Sequence, residues 1–353
     1  MRAITHDPYR AGDLSVPRLR HDTEPIDGPL TAFAYVDRYP PYVCAGAEMM
    51  LHAMMRHLVE KGHRAVVATP IKEPAVVEGV EAFPVSCAEE LAEVSDVMIG
   101  HLAFTREVVT LAAKAHKPLA YLTHNDMQSR YWTLGRENLS AMVFNAEWMA
   151  RAHPSWQEHS IIVRPPTQLR DYHLDRDPDP NGYITLVNPN PEKGAECFYA
   201  IAARRHRDRF LIVEGGYGTQ IRPPKNVTNV KRQPRTANMR DDVYARTRIL
   251  CVPSSYESWG RVATEALCSG IPVIAHPTAG LQESLGPAGL FRDRDDPKAW
   301  CALIDELGNP ETYKIWSDRA RKRAAELDRQ SATDLEAWEL LLRRCATVGR
   351  EVG

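Results

Sequence analysis

Short apolar runs alternate along this chain with amphipathic stretches of helical period. Leu30 to Val36 (LTAFAYV) reads as a strand, and a Pro- and Gly-containing loop carries the chain to Glu48. A helix is predicted from Met49 to Lys61, closed by Gly62, with a second strand from Arg64 to Thr69. The unit recurs with a strand at Asp96 to His101, a helix at Thr105 to His116 and a strand at Pro118 to Thr123. Strands at Ala141 to Asn145 and Ile161 to Val163, with a short helix at Glu147 to Ala152 between them, complete a first half. Repeated strand–helix–strand order predicts a parallel sheet with right-handed crossovers.

Arg164-Pro-Pro-Thr and the Asp- and Pro-rich stretch from Asp171 to Gly182 interrupt the pattern as an interdomain linker. A second half begins at Tyr183 to Asn188 (YITLVN), followed by a helix from Gly194 to Arg207. Strands are predicted at Phe210 to Glu214, Val227 to Val230, Arg248 to Ser254 and Ile271 to Ala275, with helices at Asp241 to Thr247 and Gly260 to Cys268. Three helices then close the chain, at Pro297 to Leu307, Pro310 to Leu327 and Leu335 to Cys345, the last entered through Ser331-Ala-Thr-Asp334, whose spacing is that of a capping box. The expected fold is α/β, with two Rossmann-like domains facing each other across a cleft and ligands at the carboxyl ends of the strands. The expected divisions are a leader at 1–28, an N-terminal domain at 29–165, a linker at 166–182, a C-terminal domain at 183–330 and a terminal helix at 331–353.

At 353 residues, each half is long enough to bury its own core. A hydrophobic fraction of 44% with 25% charged residues is ordinary for a globular protein, and a net charge of −2 gives no global attraction to nucleic acid or anionic membrane. Seven scattered cysteines without a C-x-x-C pair read as reduced core residues of a cytoplasmic protein. No apolar run has the length of a membrane span, and the polar first 28 residues lack the apolar region of a secretory signal.

The chemistry concentrates between Cys251 and Glu283 (CVPSSYESWGRVATEALCSGIPVIAHPTAGLQE). Gly260 stands where a loop meets a helix, so a ligand can approach the backbone, and the first amides of that helix favour an anion such as phosphate. Glu257 lies in the loop and Glu265 eight positions on, about 7.5 Å along the helix from Gly260. Carboxylates beside an anion site would repel phosphate, so they suit vicinal hydroxyls of a sugar or ribose. A nucleotide sugar combines these features.

The run Glu257-Ser258-Trp259-Gly260-Arg261-Val-Ala-Thr-Glu265-Ala, then Ser-Gly-Ile-Pro-Val-Ile-Ala and Ala-Gly-Leu-Gln-Glu, resembles the E-x7-E region of retaining GT-B glycosyltransferases of the family 4-like type. The resemblance implies a GT-B fold over residues 30 to 345, a donor sugar held by Glu257, a ribose held by Glu265, and a last helix that crosses back onto the first domain. It places Ser258, Trp259, Gly260 and Arg261 at the donor. Asn188-Pro-Asn-Pro-Glu-Lys193-Gly194 follows a strand and opens a helix, matching the family's Lys-Gly, with Asn188 where an Arg is usual. Lys193 is expected on the diphosphate, with Arg261 replacing the missing charge. Ala45-Gly46-Ala47-Glu48 resembles the family's first-domain glycine loop, which implies a backbone N–H at the donor phosphate or acceptor from across the cleft, with Gly46 on the donor and Ala45 on the acceptor side, and Gly215-Gly216 resembles its turn beside the donor. His124, after a strand, is expected to face the sugar or acceptor, and His101 ends the preceding strand in a similar place. Val230 to Pro234 aligns with the loop that frames the base.

The expectation is a metal-independent retaining hexosyltransferase, with no cofactor beyond a UDP- or GDP-sugar and with Glu257, Lys193 and His124 as catalytic groups. Asp175-Arg-Asp177 falls in the linker and is not read as a metal site. The acceptor stays open between a small molecule, a protein, a lipid head group and modified nucleic acid, with Tyr42, Tyr131, Trp132 and Trp148 as rings able to stack on it. A nucleotide-sugar-binding protein without transfer activity, or a related epimerase or phosphorylase, are the alternatives. The chain carries neither G-x-G-x-x-G nor G-x-x-x-x-G-K-[ST], which disfavours an NAD oxidoreductase.

Overall fold

The computed structural model describes residues 14–20, 22–42, 45–126 and 135–352. Cys44, Tyr131 and Trp132 lie outside them.

The first half runs β1 (Thr31–Tyr35), α1 (Gly46–Glu60), β2 (Arg64–Thr69), β3 (Ala75–Val77), β4 (Val80–Pro84), α2 (Ala88–Val94), β5 (Val97–His101), α3 (Thr105–Lys114), β6 (Leu119–Thr123), β7 (Ala141–Phe144), α4 (Glu147–Ala152) and β8 (Ser160–Ile162). Its sheet has the order β3-β4-β2-β1-β5-β6-β7-β8 and is parallel except for the β3–β4 hairpin. The hairpin and α2 were not evident in the sequence, because Ala75 to Pro84 offers only short, partly exposed strands around a Glu78-Gly79 turn.

A crossing segment with a short helix, α5 (Leu169–Tyr172), leads to the second half. There β9 (Tyr183–Val187), α6 (Ala195–Arg204), β10 (Phe210–Val213), β11 (Val230–Gln233), α7 (Met239–Asp242), β12 (Thr247–Val252), α8 (Arg261–Cys268), β13 (Val273–Ala275), α9 (Ala279–Leu285), β14 (Gly289–Phe291), α10 (Pro297–Glu306) and α11 (Pro310–Val352) follow. The sheet order is β11-β10-β9-β12-β13-β14, all parallel. Both orders reverse direction at their first strand, so the crevices where a doubly wound sheet receives ligands open beside β1/β5 and beside β9/β12.

Three expectations need correction. The strand placed at Val227 to Val230 is instead Val230–Gln233, an edge strand on β10, so the segment expected to frame a base is sheet rather than loop. The helix placed at Asp241 to Thr247 ends at Asp242, and Thr247 already belongs to β12. The last two helices are one, α11, of 43 residues. Its polar stretch at Ser331 to Asp334 marks a contact rather than a break. Ser331 Oγ donates to the Leu327 carbonyl at 2.8 Å and accepts from the Thr167 amide at 3.1 Å, and Asp334 accepts from the Arg164 amide at 3.0 Å.

Helix α11 joins the two cores. Ala320, Ala324 and Leu327 are buried in the cluster that includes α8, whereas Trp338, Leu341, Leu342 and Cys345 pack with Met50, Met54, Val97 and Ile99 of the first half. Residues 14–20 and 22–30 lie against the same half, with Val16 and Leu19 buried, and Arg344 donates to the carbonyls of Thr23 and Arg20.

Candidate functional site

Helix α8 begins at Gly260, whose φ of +89° is a left-handed conformation that suits glycine, and a Cβ there would stand 2.5 Å from Leu281 Cδ2. The first backbone bond across this helix start runs from Ala263 N to the Gly260 carbonyl at 2.9 Å. The amides of Arg261 and Val262 take no acceptor among the described residues, which leaves two aligned N–H groups for an anion. Gly280 holds the loop close, since a Cβ on it would meet the Glu257 carbonyl at 2.3 Å.

Two charge pairs converge here from β9 and β12. Lys193, reached through the left-handed Gly194 (φ +78°), places Nζ 2.5 Å from Glu257 Oε1, and Ser254 Oγ donates to the same oxygen at 2.9 Å. The lysine backbone is held by Asn190, whose Oδ1 accepts from Lys193 N at 2.9 Å. Burial alone would lower the Lys193 pKa, but the Glu257 carboxylate outweighs it and the ammonium stays above its ordinary value. In the second pair Arg261 Nε stands 2.8 Å from Glu265 Oε1, and Nη2 donates to Tyr172 OH at 3.1 Å. Tyr244 OH donates to Glu265 Oε2 at 2.7 Å, and its pKa is raised well above normal, first by burial and then by that carboxylate, so it remains a donor. Tyr244 and Tyr172 come from short elements remote in sequence. No local signal identifies them, and only the tertiary fold brings them to Glu265.

The other predicted residues take distinct places. Asn188, at φ +61°, is turned toward Gly215, and its Oδ1 accepts from Gln220 Nε2 at 2.6 Å. Gln220 in turn accepts from Gly215 N at 2.9 Å, which ties the two turns together. Gly216 lies beside Arg235, with 3.6 Å from a built Cβ to Nη1. Trp259 is only 2% exposed within the core, so its backbone rather than its indole is what a ligand can meet. Ser258 faces the first half, where its Oγ accepts from Asn145 Nδ2 at 3.0 Å and its carbonyl from Trp148 Nε1 at 2.8 Å. Trp148 thereby serves the contact between halves. Ala45 and Gly46 form the start of α1, with open space beside Gly46.

From the first half, His101 Nδ1 and His124 Nε2 stand 2.9 Å apart. Burial pushes His101 well below its ordinary pKa and His124 down to about 4, so both rings are neutral at pH 7. Two residues beyond His124, the Asp126 amide donates to Tyr256 OH at 3.0 Å, which brings this strand end against the Glu257 loop.

Several known proteins are similar to this chain. Residues 218–323 match the protein-family model described as Glycosyl transferases group 1, a stretch that includes Glu257, Arg261 and Glu265. The D-inositol 3-phosphate glycosyltransferase of Corynebacterium efficiens is 25% identical over 269 residues, which cover 73% of this chain and 56% of that protein. At best the chain spans little more than half the length of the curated relatives it first matches. Among solved structures, sucrose-phosphate synthase of Thermosynechococcus elongatus superposes with a TM-score of 0.71 at 17% identity, covering 88% of this chain and 98% of that one. Anabaena HepE in complex with UDP-glucose gives 0.70 at 15% identity, covering 87% and 100%. The chain has the GT-B fold.

Proposed function

We propose that the protein is a retaining, metal-independent glycosyltransferase that moves a hexose from a UDP-sugar to a hydroxyl of a small acceptor. The observation that carries this reading is the convergence of Lys193, Glu257 and two free amides of α8 at the β9/β12 crevice. Cleavage at the anomeric carbon places negative charge on the departing diphosphate, which Lys193 and the two amides stabilise on this reading. Arg261 adds charge from the same helix start. Glu257 accepts hydrogen bonds from the sugar hydroxyls and Glu265 from the ribose, so binding away from the reacting bond sets its position. His124 hydrogen-bonds the sugar or acceptor from the other half. The positive charge comes from the protein, so the reading calls for no metal ion and no cofactor besides the donor.

The UDP preference draws support from the UDP-glucose bound by HepE. The small hydroxylated acceptor draws support from the printed names of two relatives, a D-inositol 3-phosphate glycosyltransferase and an MMP alpha-(1->4)-mannosyltransferase. One observation favours a second reading, a donor-binding protein that does not transfer. Asn188 supplies no positive charge and is committed to Gln220.

Thermal stability against UDP, GDP, ADP and their sugar conjugates tests the donor, because a ligand of the folded state raises Tm with its affinity. A shift with UDP compounds that Glu265→Ala abolishes is the expected result. No shift with any of the three would sink the assignment. Binding of UDP-glucose with no release of UDP, to water or to any polyol acceptor, would favour the second reading.

A further inference from the structure

We propose that His101 is a positioning residue, whose Nδ1–H holds His124 in the tautomer protonated at Nδ1, so that His124 presents an N–H donor to a ligand oxygen. The inference rests on the reading that His124 meets the sugar or acceptor.

The two rings sit on neighbouring parallel strands, His101 ending β5 and His124 directly following β6. Their centroids are 5.0 Å apart at an interplanar angle of 68°, an edge-on approach that allows one hydrogen bond between Nδ1 of His101 and Nε2 of His124. A neutral imidazole carries a single N–H, so the bond can be made in only two ways. If His124 Nε2 donates, His101 must keep its proton on Nε2. That atom is sealed from solvent and has no partner among the described residues, so the arrangement strands an N–H in the core. If His101 Nδ1 donates, Nε2 of His101 is a bare acceptor instead. Orphaned buried N–H groups are the rarer defect in folded proteins, so the second arrangement is favoured.

The consequence falls on the far side of His124. Its one proton then sits at Nδ1, which has no partner among the described residues and is not one of the sealed atoms. His124 retains 9% exposure, and the segment following it touches the Glu257 loop through Asp126 and Tyr256. A fixed N–H at this place donates to a hydroxyl or phosphate oxygen. The opposite tautomer would offer only a lone pair. The hydrogen on the nitrogen that a ligand meets is thus decided by a residue that does not meet it.

The test uses the whole chain labelled with 15N-histidine, with His124 assigned by loss of its signals in His124→Phe. Long-range 1H–15N spectra are expected to show His124 protonated at Nδ1 and bare at Nε2. His101→Asn keeps an amide donor near the former Nδ1, whereas His101→Phe fills the ring volume without one. In His101→Phe the bond that fixes the tautomer is gone, so His124 is expected to populate both tautomers, with kcat for UDP release from UDP-glucose down by about tenfold or more and KM little changed. His101→Asn is expected to restore the tautomer and most of the rate. Protonation of His124 at Nε2 in the unmutated protein would overturn the proposal, as would an unchanged tautomer in His101→Phe. If the spectra follow expectation but His124→Phe releases UDP at the unmutated rate, the placement of His124 at the ligand fails and the tautomer assignment stands.

Discussion

Lys193 and Glu257 neutralise each other before any ligand arrives, at 2.5 Å and with both side chains largely buried. Breaking such a pair by removing one partner leaves an uncompensated charge, whereas letting a donor enter replaces one charged partner by another. On the proposed function the diphosphate takes over Lys193 while sugar hydroxyls hydrogen-bond Glu257, so the ammonium keeps an anionic partner and the carboxylate exchanges its cation for neutral donors. Lys193→Ala is expected to lower kcat for UDP-glucose turnover by about 10²–10³-fold, the range for loss of one transition-state donor. Lys193→Arg should not restore it, because a planar fork does not reproduce a point charge. Steady-state UDP release checks both. The buried histidines make a separate prediction. His124 is held at about 4, below the unfolded value near 6.5, so the unfolded chain binds more protons between those pH values. Stability is therefore complete above about pH 6.5 and falls as the pH drops toward 4, with a slope approaching about 1.4 kcal/mol per pH unit for this residue. Urea unfolding of the parent and of His124→Phe across this window should show the slope reduced in the variant.

At the scale of elements, apolar runs flanked by glycine were readable and contacts between distant segments were not. The strands at β1, β5, β6, β9 and β12 are buried and apolar on both faces, and their pattern announces them without tertiary information. The motif from Glu257 to Glu265 was equally legible, because loop, glycine and helix start are consecutive. Polar positions misled where they face other protein. Ser331 and Asp334 interrupt the apolar pattern of α11 because they receive the amides of Thr167 and Arg164, and no single-chain periodicity separates that from a helix end. The same helix sinks Trp338, fully buried, into the first core. Trp338→Ala is expected to cost about 3–5 kcal/mol, seen as a lower unfolding midpoint in denaturant. Gly260 is the sensitive point of α8. An alanine there combines a left-handed backbone with a 2.5 Å contact to Leu281, so Gly260→Ala should lose about 1–3 kcal/mol and disturb the two free amides together. UDP affinity should fall with stability in this variant, but stay unchanged in Trp338→Ala under conditions where that variant is folded.

For the molecule as a whole, the halves are joined at the same loop that carries the candidate chemistry. Glu283 of α9 accepts from the first amides of α4, Glu147 N at 2.8 Å and Trp148 N at 2.9 Å, so a carboxylate from one half caps a helix of the other. Ser258 and Tyr256 add their own hydrogen bonds across the same boundary, and both flank Glu257. The residues on either side of Glu257 thus also hold the two halves together. Glu283→Ala removes the cap without touching Lys193, Glu265 or the start of α8. It leaves two amides unsatisfied, which is expected to destabilise the protein by about 1–3 kcal/mol. The groups that the proposed function gives to UDP, Lys193, Arg261, Glu265 and the first amides of α8, belong to the second half, so UDP affinity should hold. The proposed function places His124 of the first half in the transfer step, so kcat should fall, and small-angle scattering should show a larger radius of gyration without ligand. A lower Tm with unaltered turnover and radius would mean that Glu283 only fastens the halves. In that case the position of Glu257 is set within its own loop, by Ser254 and Gly280.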